Sequence, residues 1–183
     1  EGATALPATL ALPDGEGPFP AIVLVHGSGP HDRDESIGPN RPFLDIARGL
    51  AAQGVAVLRY EKRSKAHPEA YVAPGALTID SETTDDAVAA LRTLAGVPQV
   101  DASRVFLFGH SQGAMMAPRI AARSIDAGVP VAGLVLLAAP SRKLLDIVVE
   151  QNRRMAVLDD AHTSDAEREA INTLIAQVRE YGK

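Results

Sequence analysis

The sequence predicts an α/β protein: a mostly parallel sheet with helices packed on both faces. Three observations carry that prediction. Apolar, strand-like runs alternate with amphipathic, helix-like stretches from about residue 6 to residue 140. One run, Ala21 to Val25, is apolar at every position, as expected of a central strand buried on both faces. A glycine-flanked turn, GHSQG at 109–113, joins a strand-like run directly to a helix-like one.

Taken in order, Leu6 to Leu12 reads as an early strand and Pro13 to Pro20 as a turn-rich stretch. The Ala21–Val25 strand is followed by a long polar loop from His26 to about Arg41. Pro42 suits the first position of a helix, where its missing N–H costs nothing. Leu44, Ala47, Leu50 and Ala51 then recur at helical spacing, and Gly54 closes the helix. Val55 to Tyr60 is the next strand, and a second loop spans Glu61 to Gly75. A helix from about Ser81 to Ala95 buries Val88, Leu91, Leu94 and Ala95; Glu82, Asp85 and Asp86 sit near its N-terminus, where the helix dipole favours negative charge. Arg104 to Phe108 is a strand, Gln112 to Ser124 a helix, and Val131 to Ala138 another buried strand. Beyond Pro140 the pattern changes to two helical segments, about 142–157 and 165–181, with no strand between them. Ser164 and Glu167 form a capping-box pattern at the start of the second, and Ala170, Ile171, Leu174, Ile175 and Val178 form one apolar stripe along it.

Bulk properties exclude several functions. The chain has 183 residues, about one domain by length, and 46% of them are hydrophobic, enough for a sizeable core. A net charge of -5 gives no electrostatic reason to bind nucleic acid or an anionic membrane. There is no cysteine, which removes disulfides, thiolate catalysis and cysteine-ligated zinc. No apolar run approaches a membrane span. The expected partner is a small molecule; compartment, whether cytoplasmic or secreted, and oligomeric state stay open. The chain starts at Glu1 rather than Met, so a processed or trimmed N-terminus is expected.

Gly109-His110-Ser111-Gln112-Gly113 carries the chemistry. It matches G-x-S-x-G and stands directly after a strand and before a helix. The chain must reverse there within a few residues, which forces the serine into a strained conformation. Side chains at 109 and 113 would collide with the neighbouring strand and helix, so both positions need glycine. The Ser111 hydroxyl is then presented at the C-terminal edge of the sheet beside a helix N-terminus, whose free N–H groups can stabilise an oxyanion. His26-Gly27-Ser28-Gly29-Pro30 follows the first buried strand, where a second oxyanion donor should originate. The backbone N–H groups of Ser28 and Gln112 are the candidate pair. Asp32 stands where a dinucleotide fingerprint would need its third glycine, and neither a P-loop nor an H-E-x-x-H pattern occurs. This chemistry needs no metal and no organic cofactor.

His26-Gly-Ser-Gly-Pro, Asp32-Arg33-Asp34-Glu35, Arg59-Tyr60-Glu61-Lys62-Arg63 and Gly-His-Ser111-Gln-Gly occur in that order. Together they resemble the bacterial α/β-hydrolases related to dienelactone hydrolases and to the catalytic domains of prolyl-oligopeptidase-type enzymes. The resemblance covers residues 5–140 well and the helical end more loosely. It implies the α/β-hydrolase fold and hydrolysis of an ester, thioester or amide through an acyl-enzyme on Ser111. Dienelactone hydrolases proper use cysteine at this position, so lactone chemistry does not carry over. The family places the acid and then the histidine of its triad after later strands, and a helical cap is commonly inserted after the strand that ends here at Ala138. The resemblance therefore implies that residues 1–140 are the N-terminal part of the core, that 141–183 are a helical cap segment, and that the triad acid and base are not in this chain.

The histidines and acids present do not fill that gap by sequence. His110 is expected to pack beneath the serine, His26 to lie near the pocket mouth in the oxyanion loop, and His31 and His67 to be solvated. His162 alone lies downstream of Ser111, with no strand before it, and Asp146, Asp159 and Asp160 read as solvated carboxylates. Arg59, Lys62 and Arg63 could reach a substrate; pairing with Asp32–Glu35 to hold the two loops together is the favoured role. Two other readings stand beside the hydrolase: a non-catalytic binding or scaffold protein of the same fold, and an acyltransferase using the same serine.

Overall fold

The computed structural model describes residues 5–71, 78–156 and 164–181. The chain divides into two compact units, 1–139 and 140–183. The first holds a five-stranded sheet of β1 (Ala8–Ala11), β2 (Phe19–Val25), β3 (Ala56–Tyr60), β4 (Val100–His110) and β5 (Gly133–Leu137). Strand order is β1-β3-β2-β4-β5. β1 runs antiparallel to β3, and every other neighbouring pair is parallel. The helices are α1 (Pro42–Ala52), the four-residue α2 (Arg63–Ala66), α3 (Asp85–Ala95) and α4 (Gln112–Asp126). The second unit contains α5 (Leu144–Met155) and α6 (Asp165–Tyr181).

Two apolar layers hold the first unit together. Val23, Val25, Leu58 and Leu107 meet Leu91, Leu94, Met116 and Ile120 of α3 and α4 on one face. On the other face Ile22, Leu24, Val57 and Phe108 meet Phe43 and Ala47 of α1. Because alternate residues of β2 feed opposite layers, the strand must be apolar throughout, and residues 21–25 are fully buried.

Three local features differ from the sequence reading. β4 begins at Val100, earlier than Arg104, because Asp101, Ala102 and Ser103 extend as polar, solvent-facing strand that carries no apolar signal. The loop after β3 contains α2, and α3 is entered through a π-helical turn at Asp80–Thr84. The third difference concerns burial. β5 was expected inside the protein, yet Leu134, Val135, Leu136 and Leu137 are 37–47% exposed. It pairs only with β4, so its second edge and much of both faces lack a neighbour among the described residues.

In the second unit α5 and α6 pack on one another. Ser164 and Glu167 close the capping box: the Ser164 hydroxyl accepts from the Glu167 N–H at 3.2 Å, and the Glu167 carboxylate accepts from the Ser164 N–H at 2.8 Å.

Candidate active site

The loops that follow β2 and β4 lie side by side at the C-terminal rim of the sheet, because those strands are parallel neighbours with Val25 opposite Gly109. Ser111 occupies the turn between β4 and α4 with φ 50° and ψ -112°, a conformation costly for any residue with a side chain. Its N–H donates to the Leu137 carbonyl at 2.9 Å and its carbonyl accepts from the Met115 N–H at 2.9 Å, so both sides of the strained residue are anchored. The flanking glycines have no room for a side chain. A Cβ at 109 would lie 2.5 Å from the Ala114 nitrogen, and one at 113 would lie 2.6 Å from the His26 carbonyl oxygen.

The 26–30 loop abuts this turn. A Cβ on Gly27 would stand 3.4 Å from Ser111 Cβ and 3.3 Å from both His110 Nδ1 and Glu35 Oε1. Ser111 is half-buried and Ser28 exposed. The Gly27 N–H donates to Glu35 Oε1 at 2.6 Å, and the next amide along, that of Ser28, makes no backbone hydrogen bond among the described residues. Gln112 is the first residue of α4 and its N–H is one of the helix's unpaired donors. The arrangement brings together a strained serine, a helix N-terminus and a loop amide, the set needed to bind a developing oxyanion.

An alpha/beta hydrolase family model matches residues 22–180. The chain belongs to that family. It is 47% identical over 146 residues to Esterase EstD of Thermotoga maritima, covering 80% of this chain and 33% of the relative. Among solved structures it resembles a bacterial heroin esterase, with TM-score 0.56 and 25% identity over 81% of this chain and 48% of that one. Acetyl xylan esterase 1 from Thermoanaerobacterium sp. shares the fold, with TM-score 0.57 and 18% identity over 92% of this chain and 57% of that one. The chain thus spans about a third of the length of the curated relative.

Within this alpha/beta hydrolase, the histidines lie differently from their sequence expectation. His26 does not line a pocket mouth; it is 1% exposed, with its ring 5.1 Å from Phe43 and 5.3 Å from Tyr60. Burial, then the neighbouring positive charge of Lys62, pulls its pKa down to about 3, so it is neutral at ordinary pH. His110 turns toward the 26–30 loop rather than packing beneath the serine, and its Nδ1 donates to Glu35 Oε1 at 3.0 Å. His31 and His67 are half-buried and bonded: His31 Nε2 donates to the Ser28 carbonyl at 2.8 Å and His67 Nε2 to the Ala5 carbonyl at 3.1 Å. His162, Asp159 and Asp160 lie outside the described residues. Asp146 is exposed.

The charged clusters pair only partly as the sequence suggests. Arg59 does bridge to Asp34, linking the loop after β2 to β3. Arg33 pairs with Glu61 at 2.8 Å, whereas Lys62 and Arg63 turn to Glu82 and Asp86. Two residues take part in the rim differently from the loop-to-loop pairing that the sequence favours. Glu35 is 1% exposed and Lys62 2% exposed, and in place of each other they bind Gly27, Glu35 through its N–H and Lys62 through its carbonyl. Their sequence signal is membership of the two charged segments, 32–35 and 59–63, that follow or end strands on the rim that carries Ser111. Among the described residues no group of three or more His, Cys, Asp or Glu is placed to hold a metal, and no helix is long and apolar enough to cross a membrane.

Proposed function

We propose that this chain carries the nucleophile and oxyanion half of a carboxylic-ester hydrolase, with Ser111 as nucleophile and the N–H groups of Ser28 and Gln112 as oxyanion donors. The observation that carries this reading is the conformation of Ser111, strained at φ 50° on a glycine-flanked strand-to-helix turn. The esterase names of EstD and of the bacterial heroin esterase support ester as the substrate class.

In this reading the Ser111 hydroxyl adds to the ester carbonyl carbon and gives its proton to a general base. The carbonyl oxygen takes the negative charge and receives both N–H donors. Collapse expels the alcohol, protonated by the base, and leaves an acyl group on Ser111. Water repeats the sequence and releases the acid. We place the base and its acid partner outside residues 1–183, with 1–140 as the N-terminal part of the core and 141–183 as a cap segment. The unpaired edge of β5 supports further strands there, as does the small share of EstD that the chain spans.

The full natural chain should be labelled by a fluorophosphonate and should hydrolyse a short-chain p-nitrophenyl ester, and Ser111→Ala should abolish both. A folded full-length protein that takes no label would overturn the reading and favour a non-catalytic scaffold. Residues 1–183 alone should turn over the ester no faster than their Ser111→Ala variant.

A further inference from the structure

Lys62 is the least expected residue of the rim. It follows β3 by two positions and precedes α2, in the run of five charged or polar side chains from Glu61 to Lys65, yet only 2% of it is exposed. Its ammonium has three N–H bonds to give and three oxygens around it. Nζ donates to the Gly27 carbonyl at 2.7 Å and to Gln112 Oε1 at 3.1 Å, and it lies 3.4 Å from Glu82 Oε2. Glu82 is itself held, accepting from the Ser64 hydroxyl at 2.5 Å.

Two of these contacts fall on the segments that bear the oxyanion donors. The Gly27 carbonyl belongs to the same peptide group as the Ser28 N–H, so a cation on the oxygen withdraws electron density from that amide and makes its N–H a stronger donor. The contact to Gln112 ties the first residue of α4 to the same ammonium. From the other side Glu35 accepts the Gly27 N–H, so the peptides before and after Gly27 are each gripped by a buried charge of opposite sign. A buried ammonium is a poor device for fold stability alone, since an apolar side chain of similar size avoids the cost of desolvating it.

We propose that Lys62 is a positioning residue for ester hydrolysis, its ammonium aligning and polarising the Ser28 amide while fixing Gln112 beside it. The proposal rests on the reading of Ser111 as nucleophile. Lys62 is too deeply buried to touch substrate, so its effect must pass through the two amides and be felt when charge develops on the substrate oxygen.

The test uses the full natural chain. Ser111→Ala comes first: if the wild-type protein shows no activity that this variant removes, the nucleophile reading fails and the proposal falls with it. Given Ser111-dependent activity, Lys62→Met should lower kcat for p-nitrophenyl acetate by about 10²-fold with KM unchanged, the signature of a lost oxyanion contact. Binding of a trifluoromethyl ketone, which forms the tetrahedral oxyanion on Ser111, should weaken by the same factor. Lys62→Cys separates charge from packing. Alkylation with 2-bromoethylamine before refolding restores an ammonium at nearly the same reach, and alkylation with 1-bromopropane fills the same space without charge. Recovery of kcat with the amine and not with the propyl group is the expected result. Equal recovery with both, a Lys62→Met protein with wild-type kcat, or a defect confined to KM would each overturn the proposal.

Discussion

β3 and β5 are strands of the same length with much the same character, AVLRY against GLVLL, and they have opposite fates. Every residue of β3 is buried, including Arg59, which is 5% exposed. In β5, the more apolar of the two, Leu136 and Leu137 are each 47% exposed. The difference lies in the neighbours. β3 sits between β1 and β2 and beneath α1 and α3, whereas among the described residues β5 has β4 as its one strand neighbour and α4 as its main helix contact. An apolar recess of about 400 Å³, lined by Ile22, Ile46, Leu50, Phe108 and Val135, lies on the sheet face next to α1. Hydrophobicity tells which segments need cover; topology decides which receive it. The buried charges of the rim, Glu35 and Lys62, follow the covered strands β2 and β3, whereas the Ser111 turn is anchored to the exposed strand through the Leu137 carbonyl.

That contrast can be broken or sharpened experimentally. The largest effect should come from Gly113→Val, which forces a side chain against the carbonyls of Val25 and His26 and is expected to cost about 3 kcal/mol or more. Urea denaturation of the variant checks it; a wild-type midpoint would mean that α4 does not press on β2 as described. Next, Leu58→Ala in β3 should cost about 3 kcal/mol by opening a cavity in a closed layer. Leu136→Lys in β5 should stay within about 0.5 kcal/mol of wild type in the 183-residue chain, because the side chain is already half in water. If the two variants lose equal stability in that chain, the contrast is wrong.

A pH-dependent effect, read as a slope, comes from His26. Unfolded, it takes up a proton near pH 6.5; folded, it does so only near pH 3. Between those values the unfolded state binds the extra proton, so stability falls as pH falls, by about 1.4 kcal/mol per unit where the difference is one full proton. The His26→Phe variant should lose that component of the slope in urea midpoints measured from about pH 7 down to about pH 4. In the second unit, Ser164→Ala removes the cap of α6 at a cost of about 1 kcal/mol, seen as lost helix signal by circular dichroism.

Much of the fold was legible because its signals are local. Pro42 marks the start of α1 by its own geometry, and Gly109 and Gly113 mark the turn at Ser111 by the space they leave. The match of strand, turn and helix around Ser111 needs no partner from elsewhere in the chain. What stayed hidden depends on distant residues. Lys62 is buried by Gly27 and Gln112, 35 and 50 positions away, and nothing in the run around it shows that they will meet its ammonium. Glu35 is likewise drawn inward by His110, 75 positions on. β5 was misjudged for the converse reason: its composition asks for cover that the described residues do not provide. The candidate site was therefore half legible, the strained turn at Ser111 by motif and the buried charges only in three dimensions.

The distribution of left-handed backbone has an evolutionary consequence. Before β2, β3 and β5 the chain turns on glycine, with Gly15, Gly17, Gly54 and Gly128 at positive φ. Past the other ends of β2, β4 and β5, where Gly29 and Gly38 are also left-handed, Glu35, Ser111 and Ala138 adopt φ of 50° to 51° despite their side chains, each at a cost of about 1 kcal/mol or more. Mutation to glycine would relieve that tension while deleting whatever the side chain contributes. On the proposed reading of Ser111, lineages that have abandoned catalysis should drift toward glycine at 111 and become sturdier as they do so, whereas lineages under selection for turnover should keep the serine and tolerate the penalty.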